Sequence, residues 1–262
     1  MPLQRNANRR GALQFFGAIA LSAVCPQSAL AGEVRIGRLI DEARAKGPIA
    51  QRIGFISEAL RGTRYLGYTL IGGPRRTEQF VARDDGFDCV TFCETVLAAA
   101  IAGNKNDFDS VLRKVRYHDG IVSWRERNHY FFEWGLHNIE NKVCRAVTMP
   151  GSIEIQKTVY WHRELGRRHF SITVIPHAVL LANKSMLSTG DIIGFITQRP
   201  NLDYFHVGFL AFDRHGELLL RHASQSRRRV LDERMDSFVA ANRVRYVTVL
   251  RPREPSAVAS RE

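Results

Sequence analysis

Residues 88–94 read Asp88-Cys89-Val90-Thr91-Phe92-Cys93-Glu94, and the fold is read outward from them. Cys89, Phe92, Cys93, Val96 and Ala100 recur at helical spacing, so one side of this segment faces a core. Asp85 and Asp88 are candidate entry caps, and Gly103 is a stop after the alanine-rich run. A thiol in the first turn of a helix meets unpaired backbone N–H groups and the positive end of the helix dipole, both of which favour thiolate. That is a position for a nucleophile. Taken alone, a buried structural thiol explains the same residue.

What changes the reading lies more than a hundred residues later, in His206-Val207-Gly208-Phe209-Leu210-Ala211-Phe212. Strand alternation puts His206, Gly208, Leu210 and Phe212 on one face. The connection Asp213-Arg214-His215-Gly216-Glu217 suits a three-residue hairpin loop with Gly216 in the left-handed position. Pairing Asp213 with Glu217 places His222 opposite Gly208 and diagonal to His206, both imidazoles on the same face. A slip of one residue would separate them. A helix-start cysteine with two histidines on one sheet face supplies nucleophile, base and orienting group.

The rest of the chain is consistent with one α+β unit. Val34–Ala45 and Pro48–Leu60 read as amphipathic helices, and Asp107–Arg116 as another. Ser152–Tyr160 and Phe170–Ile175 are candidate strands. Ile192–Thr197, Phe205–Phe212, Leu218–His222 and Val244–Leu250 are spaced as an antiparallel meander, with Asp232–Asn242 read as a helix before the last strand. The segment 117–138 concentrates Trp124, Arg125, Arg127, His129, Tyr130, Phe131, Phe132 and Trp134. Phe131 and Phe132 read as core. Arg127, His129 and Trp134 are harder to bury without purpose, and such mixtures of flat apolar faces and donors hold sugars and peptides.

The 262 residues suit a single domain, and the first 31 stand apart from it. Arg5, Arg9 and Arg10 precede an apolar run from Gly11 to Val24, and Ala29-Leu30-Ala31 has the small-x-small form of a cleavage site. The run is too short to cross a bilayer, so the segment reads as a secretory signal peptide and the product as periplasmic or secreted, with no stable membrane anchor. The Arg9-Arg10 pair matches the start of a twin-arginine signal, but the residues after it fit that signal poorly, and the export route stays open. Cleavage removes three of 38 basic residues and none of the 26 acidic ones, taking the formal charge from +12 to +9. For an exported chain this favours a polyanionic envelope or peptides with free carboxylates over nucleic acid. Cys89, Cys93 and Cys144 remain, an odd number that leaves at least one free thiol. Whether Cys93 pairs with Cys144 stays open, and Cys89 with Cys93 lacks the companion ligands of a zinc site.

Taken together, Gly62-x-x-Tyr65, Asp88-Cys89 opening a helix, His206-Val207-Gly208 and His222-Ala223-Ser224 resemble the NlpC-type superfamily of papain-like cell-wall amidases and peptidases. Asp88-Cys89-Val90-Thr91-Phe92, Arg127-x-His129-Tyr130 with Trp134, Gly190-Asp191-Ile192-Ile193 and Arg221-His222-Ala223-Ser224 narrow the resemblance. They look like its N-acetylmuramoyl-L-alanine amidase-like branch, long catalogued as a domain of unknown function. The resemblance covers roughly Gly62 to Pro252. It implies a papain-like fold with the nucleophile helix packed on the meander, preceded by extra helices. The expected layout is a signal peptide over 1–31, one domain over 32–252 and a disordered tail over 253–262. A segment over 104–190 is expected to be inserted for substrate recognition.

The resemblance further implies Cys89 as nucleophile, His206 as base and His222 as orienting residue, with Tyr65 near the oxyanion. Arg127, His129 and Trp134 are the substrate-recognition candidates, and no cofactor or metal is called for. The substrate expected is a peptidoglycan fragment, cut between N-acetylmuramic acid and L-alanine. A stem-peptide endopeptidase cutting after D-glutamate would use the same triad. Lipid acyl transfer and non-catalytic wall binding are the alternatives of other classes.

Overall fold

The computed structural model describes residues 27–160 and 162–255. The expected signal peptide therefore lies outside the described residues up to position 26. Two helices open the chain, α1 (Gln27–Arg44) and α2 (Ile49–Ala59). A short strand β1 (Arg64–Tyr65) follows, then a hairpin of β2 (Ile71–Gly73) and β3 (Arg76–Gln79), and then β4 (Gly86–Phe87). Helices α3 (Cys89–Ile101), α4 (Lys105–Arg116) and α5 (Phe131–Glu140) form the middle. After them come β5 (Cys144–Val147), β6 (Ile153–Val159), β7 (Arg168–Pro176) and the short helix α6 (His177–Ala182). The chain ends with β8 (Ile192–Ile196), β9 (Tyr204–Phe212), β10 (Leu218–Ser224), β11 (Arg229–Arg234), α7 (Met235–Ala241) and β12 (Tyr246–Pro252).

Ten strands make one sheet in the order β4-β1-β11-β10-β9-β8-β12-β7-β6, with β5 also on β12. Strands β8, β9 and β10 run in the expected antiparallel order, but the fourth expected strand, β12, pairs with β8 on the far side, and the place beside β10 is taken by β11. The hairpin register is the one the sequence dictates: Leu218 pairs Phe212, and Asp213 N–H donates to the Glu217 carbonyl at 3.1 Å. Gly216 sits at φ +78°, the left-handed conformation that this loop requires. Segment 104–190 is woven into the same sheet, because β5 and β7 both pair with β12.

Helix α3 is apolar on nearly every side, and residues 91–100 are all buried. Such a helix has no solvent face and must be packed all round. One sheet face receives it: Phe92 meets Phe209 edge-on at 5.8 Å, and Val207, Ala223 and Val230 join the same core. The opposite face carries α7 and a second core with Phe195, Leu210, Leu220 and Phe238.

Two expectations need correction. Asp232–Asn242 is not one helix, because residues 229–234 form β11 and only Met235–Ala241 is helical. The charged run Asp232-Glu233-Arg234 carries helical propensity, but six residues of pairing with β10 override it. The tail does not begin at 253 either. Arg253 N–H donates to the Val143 carbonyl, and Glu254 accepts from Ile49 N–H and the Arg52 guanidinium. Residues 256–262 lie outside the described residues.

Candidate active site

The site is assembled at the end of the meander where β9 and β10 part. Their pairing runs from Leu218–Phe212 to Arg221–Phe209 and stops there. Leu210 N–H points away from β10, donating to the Asp191 carbonyl. Alternation therefore turns Val207 N–H toward the β10 side, where no strand partner remains. The Cys89 thiol lies on that side, near enough for the Val207 N–H to favour its thiolate form.

Local sequence explains how Cys89 arrives there. Strand β1 lies between β11 and β4, with Arg64 opposite Arg229 on one side and Tyr65 beside Phe87 on the other. Asp88 directly after β4 caps α3: Thr91 N–H donates to Asp88 Oδ1 at 2.8 Å, and Asp88 N–H donates to Thr91 Oγ1 at 3.0 Å. Such a reciprocal box fixes where the helix starts, so Cys89 is its first residue. Tyr65 is brought close enough that the Cys89 and Asp88 charges, after burial, raise its pKa. The phenol therefore stays protonated and remains a donor.

His206 and His222 stand on the α7 face of the sheet. His206 Nε2 lies 2.6 Å from His222 Nδ1, with the rings perpendicular at 4.7 Å between centroids. Phe238 of α7 packs 5.5 Å from each ring. Gly208 is what permits this approach, since a Cβ there would meet the Arg221 carbonyl oxygen at 2.9 Å and His222 Cβ at 3.0 Å. The backbone N–H that acts on the thiol belongs to Val207, the residue directly after His206. Among the described residues no hydrogen bond yet links the sulfur to an imidazole.

Charge states differ from those the helix dipole alone suggests. Burial, then the Asp88 carboxylate, pushes the Cys89 thiol up to about 12, against the N–H groups of Val207, Cys89 and Val90 that favour thiolate. Burial, then His222, drives His206 down to about 3. Desolvation penalises both charged forms and outweighs the helix end here. The resting pair is a neutral thiol and a neutral imidazole, not the thiolate that the helix start by itself favours.

One residue of the cluster escaped the sequence reading. Glu233 Oε2 lies 3.3 Å from His222 Nε2, an atom buried with no hydrogen bond of good geometry. Burial lowers the His222 pKa, and Glu233 partly restores it. Recognising β11 as a strand was the missing signal, because Glu233 pairs with Leu220 and so points to the same face as His222.

None of the three expected recognition residues lines the histidine cleft, and Trp134 is a correction. Trp134 is 1% exposed, stacked on Phe131 at 5.0 Å between centroids, and offers a ligand no surface. Arg127 is committed to the buried Glu78 at 3.1 Å, and Glu78 also accepts from the Tyr117 hydroxyl. His129 Nε2 lies 2.6 Å from the Trp124 carbonyl, and burial lowers its pKa to about 4. A second buried pair, Arg116 with Glu94 at 2.7 Å, joins α4 to α3 behind the thiol. Cys93 and Cys144 are buried and free, which answers the pairing question in the negative. Among the described residues no cluster of His, Cys, Asp or Glu has metal-holding form, and no helix is long and apolar enough to cross a membrane.

Residues 55–246 match the AmiA-like family, described as N-acetylmuramoyl-L-alanine amidase-like. No curated protein matches the chain. Among solved structures, a Legionella pneumophila protein assigned to DUF1460 superposes with a TM-score of 0.76 at 22% identity, over 87% of this chain and 97% of that one. A Bacteroides uniformis N-acetylmuramoyl-L-alanine amidase superposes with a TM-score of 0.69, also at 22% identity, over 79% of this chain and 99% of that one. A Bacteroides fragilis chain named as a xylanase candidate reaches 0.64 at 23% identity, over 74% and 98%. At such identities the likeness is one of fold.

Proposed function

Because the chain belongs to the AmiA-like, N-acetylmuramoyl-L-alanine amidase-like family, we propose that it is an exported cysteine hydrolase of peptidoglycan fragments with a papain-like site. The bond cut is the amide between N-acetylmuramic acid and L-alanine. Export rests on the leader read over residues 1–31. The reading is carried by one observation: a base already oriented, His206 Nε2 against His222 Nδ1 at 2.6 Å, beside the Val207 N–H that acts on a helix-capped thiol.

The chemistry follows from the neutral pair. His206 Nε2 is occupied, so Nδ1 is the atom that takes the thiol proton as sulfur attacks the amide carbonyl. The carbon–sulfur bond forms and the carbonyl oxygen becomes an oxyanion. The Cys89 backbone N–H and the protonated Tyr65 phenol are its donors. Collapse breaks the carbon–nitrogen bond, and His206 returns its proton to the leaving amine of alanine. Water, deprotonated by His206, then attacks the thioester, freeing the muramoyl carboxylate and the thiol. His222 fixes the imidazole plane throughout, and Glu233 holds His222 from behind.

Incubating wild type and Cys89→Ala with defined muropeptides, and reading the products by mass, tests this. Wild type should release an intact stem peptide beginning with L-alanine, and the variant none. Release of a shorter fragment cut after D-glutamate would replace the amidase reading with the endopeptidase one, and equal activity in both proteins would end it.

A further inference from the structure

Two clefts open beside the imidazoles and share Phe205 and Asn242. The first, of about 650 Å³, is lined by His206, His222 and Phe238, and the second, of about 360 Å³, by Arg199, Arg243 and Arg245. Phe195 pairs with both His206 and Val247, so these three residues form one row across β9, β8 and β12. Arg245 is two residues before Val247 and keeps the same face. Two strand spacings of ~4.8 Å and two residues of ~3.3 Å put its backbone roughly 12 Å from that of His206. An extended peptide of three residues spans about 10 Å.

The charges along this path are mostly positive, Arg227 lining the histidine cleft and three arginines the second. Glu233 is the one acid lining either cleft, at the histidine end and against His222. Among the described residues, Arg199 and Arg243 make no ion pair or side-chain hydrogen bond, and Arg245 lies over the Tyr246 ring at 5.8 Å. The Arg199 loop is also held: Lys157 Nζ donates to the carbonyls of Thr197 at 2.6 Å and Arg199 at 3.1 Å.

We infer that this groove binds the free carboxylates of the peptide stem, with Arg199, Arg243 and Arg245 as specificity determinants. The inference rests on the amidase reading. In that reaction His206 gives its proton to the leaving amine, so the peptide half of the substrate must pass His206. The groove continues from there past Phe205 and Asn242 to the three guanidinium groups. Carboxylates are the stem's anionic groups, and guanidinium is their bidentate partner.

The test compares a muropeptide with free stem carboxylates against the same compound with carboxamides. It uses wild type and an Arg199→Ala/Arg243→Ala/Arg245→Ala variant whose melting temperature is checked first. Wild type should favour the free acid, and the variant should raise KM for the acid about ten-fold, leaving the carboxamide and kcat unchanged. A KM for the acid unmoved by the substitutions, or raised equally for the carboxamide, overturns the inference while leaving the amidase reading intact. Calorimetry with the synthetic free stem peptide, acid and amide, supplies an arm without turnover. Arginine-dependent binding of the acid form, in a protein that cleaves nothing, would retain the groove and remove the amidase. Equal binding of acid and amide would remove the groove.

Discussion

Replacing Gly208 by alanine tests the link between sheet packing and the site. The added Cβ would stand 2.7 Å from Leu220 Cδ1, 2.9 Å from the Arg221 carbonyl oxygen and 3.0 Å from His222 Cβ. Leu220 can turn its methyl aside. The carbonyl cannot, because the Arg221 side chain is tied to Asp232, Ser57, Gly54 and Glu58. Strands β9 and β10 must then part, at the cost of overpacking, about 1–3 kcal/mol. At ~2–4 °C per kcal/mol for a chain of this size, the melting temperature should fall by roughly 2–12 °C. The same displacement lengthens the 2.6 Å contact between the imidazoles. Misplacement of an orienting group lowers turnover steeply, so kcat should drop by about ten-fold or more. Circular-dichroism melting and muropeptide turnover check the two effects. Adding Leu220→Ala removes only the first contact and should not restore turnover. A Gly208→Ala protein with wild-type melting and wild-type kcat would refute the argument that this glycine sets the histidine pair.

Glu94→Gln leaves Arg116 buried without its counter-charge, an expected loss of about 3–5 kcal/mol. It is read as a lower denaturation midpoint, and an unchanged midpoint would mean the pair contributes no net stability. Alkylation of Cys89 by iodoacetamide should quicken about ten-fold per pH unit between pH 7 and 10, since only thiolate reacts and the thiol lies near 12. A rate that is flat from pH 5 to 9 would instead reveal a preformed thiolate–imidazolium pair. Glu233→Gln should lower kcat at constant KM by about ten-fold at most, or ~1.4 kcal/mol, because the carboxylate is 31% exposed. A change confined to KM would assign Glu233 to substrate binding.

The candidate site residues were legible because their positions follow from local periodicities. Asp88 and Thr91 announce where α3 begins, and the Gly216 turn fixes which face His222 takes. The second half of the strand system was harder. Glu233 sits in a stretch whose composition favours a helix, and only its pairing with β10 makes it a neighbour of His222. Trp134 was misread for a related reason. It stacks on Phe131, which in turn meets the ring of Tyr204 from β9, far along the chain. Nothing within residues 117–138 indicates which aromatic faces inward. The charge state of the thiol was likewise out of reach, since dipole and desolvation oppose each other and only the packed structure sets the second.

The clasp made by Arg221 has an evolutionary consequence. It binds the histidine-bearing sheet to α2 from beneath, through partners that take no part in contacting substrate. The arginines of the groove hang instead from the 197–203 loop and the turn after α7. The proposed chemistry and the proposed recognition are thus mounted on separate parts of the scaffold. Drift in those surface segments can redirect the enzyme toward differently decorated fragments while the bond-breaking apparatus stays in register.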